Sequence, residues 1–210
     1  MVKDETVKDF FNKLAEKHGY SSKSLAYGSD KSQEIKFDIV TEVGIEDGCS
    51  ILDVGCGFGD YFNYLKQKGI KNVKYCGIDI SNKIVDLAKE KNSLANIIHG
   101  DFLDLSDDEK FDYVISLGLN CVKTGYNWET LTHLLDKMWK LSKKGIAYNA
   151  ISTFSEISPR GIYFVSPVKV IDYIMNNLTY NVVLRHDYMQ YDFTIYAYKW
   201  FSSLKLQLLK

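Results

Sequence analysis

The chain has 210 residues, a net charge of −1, and 46% hydrophobic side chains, with only two prolines. This fits one globular domain with a sizeable core. The charge balance lacks the basic excess of a dedicated nucleic-acid binder, so no nucleic-acid partner is expected. The opening twenty residues are polar and charged, so no leader is expected, and no apolar run is long enough to span a membrane. The four cysteines, Cys49, Cys56, Cys76 and Cys121, form no C-x-x-C pair. Neither a metal site nor a disulfide framework is expected from them, and a reducing cytoplasm fits best.

In chain order, residues 2–17 predict an amphipathic helix, with Val7, Phe10, Phe11 and Leu14 at helical spacing. Gly19 is a plausible stop, and a polar stretch from Tyr20 reads as a loop. A second helix follows with Ile35, Phe37, Ile39, Val40 and Val43 as its apolar positions. From residue 50 the pattern turns regular. CSILDVG reads as a buried strand, DYFNYLKQKG as a helix, VKYCGIDI as a strand and NKIVDLAKEKN as a helix. Then come the strand ANIIHGD, the strand KFDYVISLG, the helix WETLTHLLDKMWKLSKK and the strand GIAYNAIS. The helix PVKVIDYIMNNL and two strands, NVVLRHDY and DFTIYAYKW, close the series. Such alternation predicts a mostly parallel sheet with helices on both faces, and the terminal hairpin makes one strand antiparallel. The domain plan is a helical substrate-side segment over 1–47, a core over 48–200 and a tail over 201–210. In an open α/β sheet the ligand belongs at the carboxyl ends of the strands.

Three motifs fall there. Asp53-Val54-Gly55-Cys56-Gly57-Phe58-Gly59 puts alternating glycines at a strand-to-helix turn, where the backbone bends sharply and a ligand can approach closely. The spacing is G-x-G-x-G, which differs from the dinucleotide fingerprint and speaks against an NAD-dependent oxidoreductase. Asp53 stands where a carboxylate can face an ammonium group. Asp79 ends the second strand, where an acid can accept both ribose hydroxyls, with Ile80 against the adenine face. It can equally cap the next helix, a role that Ser81 or Asn82 also fills. Asp101 follows the third strand, where it can accept from an adenine amino group beside Phe102, or stand in an ordinary polar loop.

The glycine turn and the three acids resemble the class I S-adenosylmethionine-dependent methyltransferases, over roughly residues 48–199. The resemblance implies a seven-stranded Rossmann-like sheet, S-adenosyl-L-methionine as cofactor and S-adenosyl-L-homocysteine as product. It assigns Asp53, Gly55, Cys56, Gly57 and Gly59 to the methionine part, Asp79 and Ile80 to the ribose and adenine, and Asp101 and Phe102 to the adenine. Leu117 and Asn120, after the fourth strand, would line the floor near the transferred methyl. That strand lacks the N-P-P-Y-like tetrapeptide of amino-directed DNA methyltransferases. The segment from Tyr27-Gly28-Ser29 through Gln33 and Phe37 resembles a subgroup of small bacterial methyltransferases. There Lys36 would meet the methionine carboxylate, or else it is a solvated lysine.

The acceptor is expected to be a small molecule methylated on oxygen or nitrogen rather than carbon, in a pocket walled by Tyr20, Asn120, Tyr126, Trp128 and Tyr163, with Phe154 and Phe164 nearby. An RNA or protein acceptor, or a non-catalytic binding subunit, is the alternative. The segment 152–166 reads as a lid. His186 is the one weak candidate for a general base, against a structural role. No role is assigned to its setting, Arg185-His186-Asp187-Tyr188 followed by Asp192-Phe193-Thr194, which resembles the C-terminal signature of the same subgroup. Oligomeric state is not legible.

Overall fold

The computed structural model describes residues 5–157 and 159–199. Its elements are α1 (Glu5–His18), α2 (Asp30–Thr41), β1 (Ser50–Val54), α3 (Asp60–Gln67), β2 (Lys74–Asp79), α4 (Asn82–Lys91), β3 (Ile97–His99), β4 (Phe111–Leu117), α5 (Asn127–Leu141), β5 (Ser142–Ile151), α6 (Pro167–Asn177), β6 (Val182–Arg185) and β7 (Asp192–Tyr198). One seven-stranded sheet runs in the order β3-β2-β1-β4-β5-β7-β6. All neighbours from β3 to β5 pair in parallel. β7 is antiparallel to both β5 and β6, inserted between them.

Side-chain alternation explains why both faces need helices. On β1, Leu52 and Val54 join a core with Leu131, Leu135 and Met138 of α5 and Val170 and Ile174 of α6. Ile51, one residue out of phase, joins Phe37 and Val40 of α2 and Tyr61 and Leu65 of α3 on the other side. A strand buried on both faces reads as an apolar run, and SILDV does so apart from Ser50 at its start and the buried Asp53. Several helix starts carry their own signals. Ser29 and Ser32 form a reciprocal capping box on α2, Ser81 caps α4, and Ser166 with Pro167 opens α6.

The structure departs from the expected elements at five places, one being that α5 ends at Leu141 and residues 142–144 open β5. Part of the polar stretch after Gly19 is a short 3-10 turn, Ser22–Leu25, capped by Ser21 and ended at Ala26 with φ +59°. α2 stops at Thr41, so Val43 packs from the following turn. β6 ends at Arg185, which leaves His186 outside the strand. The expected lid is tied down: Lys123 N donates to Gly161 O (2.8 Å), Tyr163 N to Cys121 O (2.8 Å), and Ser152 bridges Val165. Residues 1–4 of the first predicted helix, Trp200 and the tail 201–210 lie outside the described residues. Among the described residues no helix is long and apolar enough to cross a membrane.

Gly145 lies where β5 meets β7, and a Cβ there would stand 2.6 Å from the Ala197 carbonyl oxygen. Backbone cannot give way as a side-chain tip can. Gly145→Ala is expected to cost roughly 1–3 kcal/mol, lowering Tm by several degrees in a thermal melt. Ligand affinity should be unchanged, because Gly145 sits at the opposite end of the sheet from the site described next.

Candidate active site

The turn after β1 is built by backbone geometry that only glycine adopts readily. Gly55, Gly57 and Gly59 have φ of +73°, +57° and +72°. Gly55 N and Cys56 N both donate to Ile78 O of β2, at 2.8 and 3.1 Å. Gly57 N donates to Asp79 Oδ2 at 3.0 Å, and Ser81 N to Asp79 Oδ1 at 2.9 Å. One carboxylate therefore holds the glycine turn and the start of α4 together. The N-cap of α4 is Ser81 and not Asp79, the Ser81 hydroxyl accepting from Ile84 N at 3.2 Å. Gly77 makes room for the turn, since a Cβ on it would lie 2.6 Å from Cys56 Sγ.

A cleft of about 1000 Å³ opens at this carboxyl edge of the sheet. It brings together Asp53, Gly55, Cys56, Gly57, Asp79, Ile80, Asp101, Phe102, Leu117, Tyr27 and Lys36. Asn120 and Tyr126 line it as well. Asn120 has φ +63° and exchanges hydrogen bonds with Asn127: its Nδ2 donates to Asn127 O (2.8 Å) and its Oδ1 accepts from Asn127 Nδ2 (2.9 Å). Asp101 Oδ1 accepts from Leu103 N at 2.8 Å and so shapes the turn that carries Phe102.

Five expected site residues lie elsewhere. Gly59 begins α3 and packs towards Ile97 and Ala95, outside the cleft. Tyr20 is drawn aside by a 2.6 Å hydrogen bond to Asp60, with its ring against Phe58. Trp128 packs edge-on against Tyr173 beneath the Lys169 ammonium, between α5 and α6. Tyr163 packs against the core on the α5–α6 face. His186 is wedged between Phe154 and Phe193, each ring centroid 6.3 Å away, and does not reach the cleft. Phe154 and Phe164 are likewise absent from its walls. In their place stand Leu25, Leu119, Cys121, Ile151 and Ile162, apolar or weakly polar residues that carry no distinguishing mark in the sequence. Only the run Gly118-Leu119-Asn120, a turn signal at a strand's end, could have pointed to this wall.

The electrostatics are lopsided. Asp53, Asp79, Asp101, Asp104 and Glu129 line the cleft against two lysines, Lys36 and Lys123. Asp53 is 2% exposed. Burial pushes its carboxyl up to about 7, with the negative charges of Asp79 and Asp60 adding to the rise and a hydrogen bond from Tyr75 OH (2.7 Å) opposing it. Burial also raises Asp79, opposed by the backbone N–H groups of Ser81 and Gly57. Such a site favours a cationic group, which would relieve the strain of adjacent buried carboxylates. Among the described residues no cluster of three or more His, Cys, Asp or Glu is placed to hold a metal ion.

The raised Asp53 carboxyl has a consequence for stability. Between its ordinary value and about 7, the folded chain holds a proton that the unfolded chain has lost. Stability therefore falls as pH rises through that window. Asp53→Asn is expected to raise the Tm of the ligand-free protein by roughly 5 °C more at pH 8 than at pH 5. Thermal melts of both proteins at the two pH values check it, and an equal difference at both would contradict it.

Comparison with known proteins places this geometry. A family model described as a methyltransferase domain matches residues 51–145. A Mycobacterium tuberculosis protein named as a methyltransferase, Rv1506c, is 30% identical over 164 residues, covering 75% of this chain and 97% of that protein. The demethylmenaquinone methyltransferase of Shouchella clausii is 26% identical over 171 residues, covering 77% of this chain and 69% of that one. In fold, the chain matches the magnesium protoporphyrin IX methyltransferase of Synechocystis, solved with bound S-adenosylmethionine. The TM-score is 0.66 at 18% identity, over 93% of this chain and 96% of that one. The chain belongs to the class I, Rossmann-like S-adenosylmethionine-dependent methyltransferases.

Proposed function

We propose that this enzyme transfers the methyl group to a small molecule bound beside the cofactor, with oxygen or nitrogen as the accepting atom. The observation that carries this reading is the cleft's size and character together. At about 1000 Å³ it lies at the upper end of single-ligand sites, which run roughly 300–1,000 Å³. Its apolar walls include Leu25 and Leu119, which pack over Gly57 and Gly55 of the turn, and Ile151 and Ile162. Five carboxylates against two ammonium groups make a poor surface for RNA, whose phosphates need cations.

The residues present fit the cofactor. Asp79 would accept from the ribose hydroxyls, Ile80 and Phe102 would flank the adenine, and Asp101 would accept from its amino group. Gly55, Cys56 and Gly57 leave the turn without bulky side chains facing the methionine part, and Asp53 would meet its ammonium. Tyr27 and Leu117 would close the site above and below. When bound, S-adenosylmethionine supplies a methyl carbon already activated by a sulfonium.

The protein's own work is then alignment and exclusion of water. Holding an acceptor in line with the carbon–sulfur bond can supply ~7–11 kcal/mol. Asn120, fixed in its left-handed conformation by the two hydrogen bonds to Asn127, presents a rigid polar edge at the end of β4. The acidic lining favours the positively charged cofactor over its uncharged thioether product, which assists turnover. His186 has no part in this scheme.

Asp79→Ala removes two charge-assisted hydrogen-bond acceptors from the nucleoside region. It is expected to weaken S-adenosylhomocysteine binding by about 10–100-fold in isothermal titration. Undiminished affinity would contradict the assignment. For the acceptor, methyl transfer to small hydroxylated or aminated aromatic compounds, followed by product release, should exceed transfer to bulk RNA. The reverse order would favour the macromolecular reading.

A further inference from the structure

Lys36 is expected from sequence to serve the cofactor's carboxylate, yet its surroundings put it elsewhere. Its ammonium is 2.7 Å from Asp192 Oδ1, with side chains only 12% and 8% exposed. Asp192 is the first residue of β7 and the register partner of Ile151, whose side chain lines the cleft. In the sheet, β7 stands three places from β1, which carries the glycine turn. At about 4.8 Å per strand that separates them by roughly 14 Å. The Lys36 charge is also felt at the Cys121 thiol, just beyond β4, where it opposes the rise that burial imposes. The Tyr27 ring lies 5.3 Å from the Lys36 ammonium. Through Asp192, Lys36 is tied to the β5–β7 side of the cleft.

The pair is held in place with some care. Asn149 Nδ2 donates to Tyr188 OH (2.7 Å) and Phe193 O (2.9 Å), and Tyr188 OH also contacts Thr194 Oγ1 at 2.8 Å. Ser152 N donates to Tyr191 O at 2.7 Å, fixing the chain just before Asp192. Arg185 pairs with Glu42 just past α2, and Tyr196 OH donates to Ile39 O at 2.5 Å. These contacts dock α2, which carries Lys36, against β6 and β7. They also account for the C-terminal run from Arg185 to Thr194, which had no role on sequence grounds.

A buried ion pair is a weak source of stability, because desolvating two charges offsets most of their attraction. An ammonium has three donors, and Asp192 Oδ1, 2.7 Å from this one, pairs with it by charge without an aligned hydrogen bond. Its N–H groups remain available to the stretch of cleft that Ile151 and Ile162 also line. We propose that Lys36, set beside Asp192, recognises the acceptor: its free donors meet an acidic or carbonyl oxygen on an otherwise apolar substrate. This rests on the small-molecule reading above and names its substrate class. Asp192 is a positioning residue, acting through Lys36.

The test is isothermal titration of the full chain, saturated with S-adenosylhomocysteine, using naphthoate, naphthol and naphthalene as probes. Naphthoate or naphthol should bind at least about tenfold more tightly than naphthalene, the size of one charge-assisted hydrogen bond. Lys36→Met should erase that preference while leaving S-adenosylhomocysteine affinity within roughly twofold of the parent, well under one hydrogen bond's worth. Because Lys36→Met leaves Asp192 unpaired, the same titrations are run on Lys36→Met combined with Asp192→Asn, which carries no orphaned charge. A tenfold loss of S-adenosylhomocysteine affinity in either variant would return Lys36 to the cofactor and overturn the proposal. So would equal binding of all three probes by the parent complex, or binding of none. If small molecules fail and RNA is methylated instead, the small-molecule reading falls, and the substrate class falls with it.

Discussion

The hydrogen bonds from Gly57 N and Ser81 N to the Asp79 carboxylate are the constraint on which the site depends. They lock a turn that would otherwise be a loose loop of glycines to the end of the neighbouring strand. The Ile78 carbonyl completes the lock by accepting from Gly55 N and Cys56 N. The arrangement needs three things at once: glycines at positive φ, an acid where β2 ends, and no side chain at Gly77, where Cys56 presses in. Each is a local demand, and together they fix one edge of a nucleoside-sized gap. The sheet order then puts β4 on the other side of β1, so that Leu117 and Asn120 face the same gap from the opposite direction.

From this fixed end the cleft changes character along the sheet. Over β1, β2 and β3 it is lined by carboxylates, and burial drives Asp53 and Asp79 towards their neutral forms until a cation arrives. Towards β5 it is lined by Ile151, with Lys36 set beside Asp192 of β7. The acidic end suits a cationic ligand, and Lys36 adds one ammonium to the other end. The antiparallel placement of β7 makes the second half possible. Reversing that strand brings its first residue, Asp192, to the carboxyl edge, where the parallel strands end.

Legibility in the sequence followed the strength of the local physics. The glycine turn and the acids Asp53, Asp79 and Asp101 could be read because positive φ and strand-end carboxylates leave marks in residue type. The parallel core could be read because doubly buried strands such as SILDV carry apolar residues on both faces, with Asp53 standing out among them. The aromatic residues could not. Tyr20, Trp128 and Tyr163 look alike as candidates, but Asp60, Tyr173 and the α5–α6 core claim them for packing. Nothing in their neighbours' identities distinguishes a wall of the cleft from a contact behind it. The true apolar wall of Leu119, Ile151 and Ile162 is equally unmarked. Lys36 was visible as a residue, but its partner lies 156 positions away on a strand whose placement only the folded sheet reveals. His186 stands one residue past β6, between the rings of Phe154 and Phe193 and outside the cleft walls.

The central claim is that the glycine turn and Asp79 together hold the nucleoside of the cofactor. A crystal structure of the chain with S-adenosylhomocysteine tests it most directly. The ribose hydroxyls are expected within hydrogen-bonding distance of Asp79, with the amino-acid part running past Gly55 and Gly57. A nucleoside bound elsewhere in the cleft, with Asp79 still engaged only by Gly57 N and Ser81 N, would contradict it.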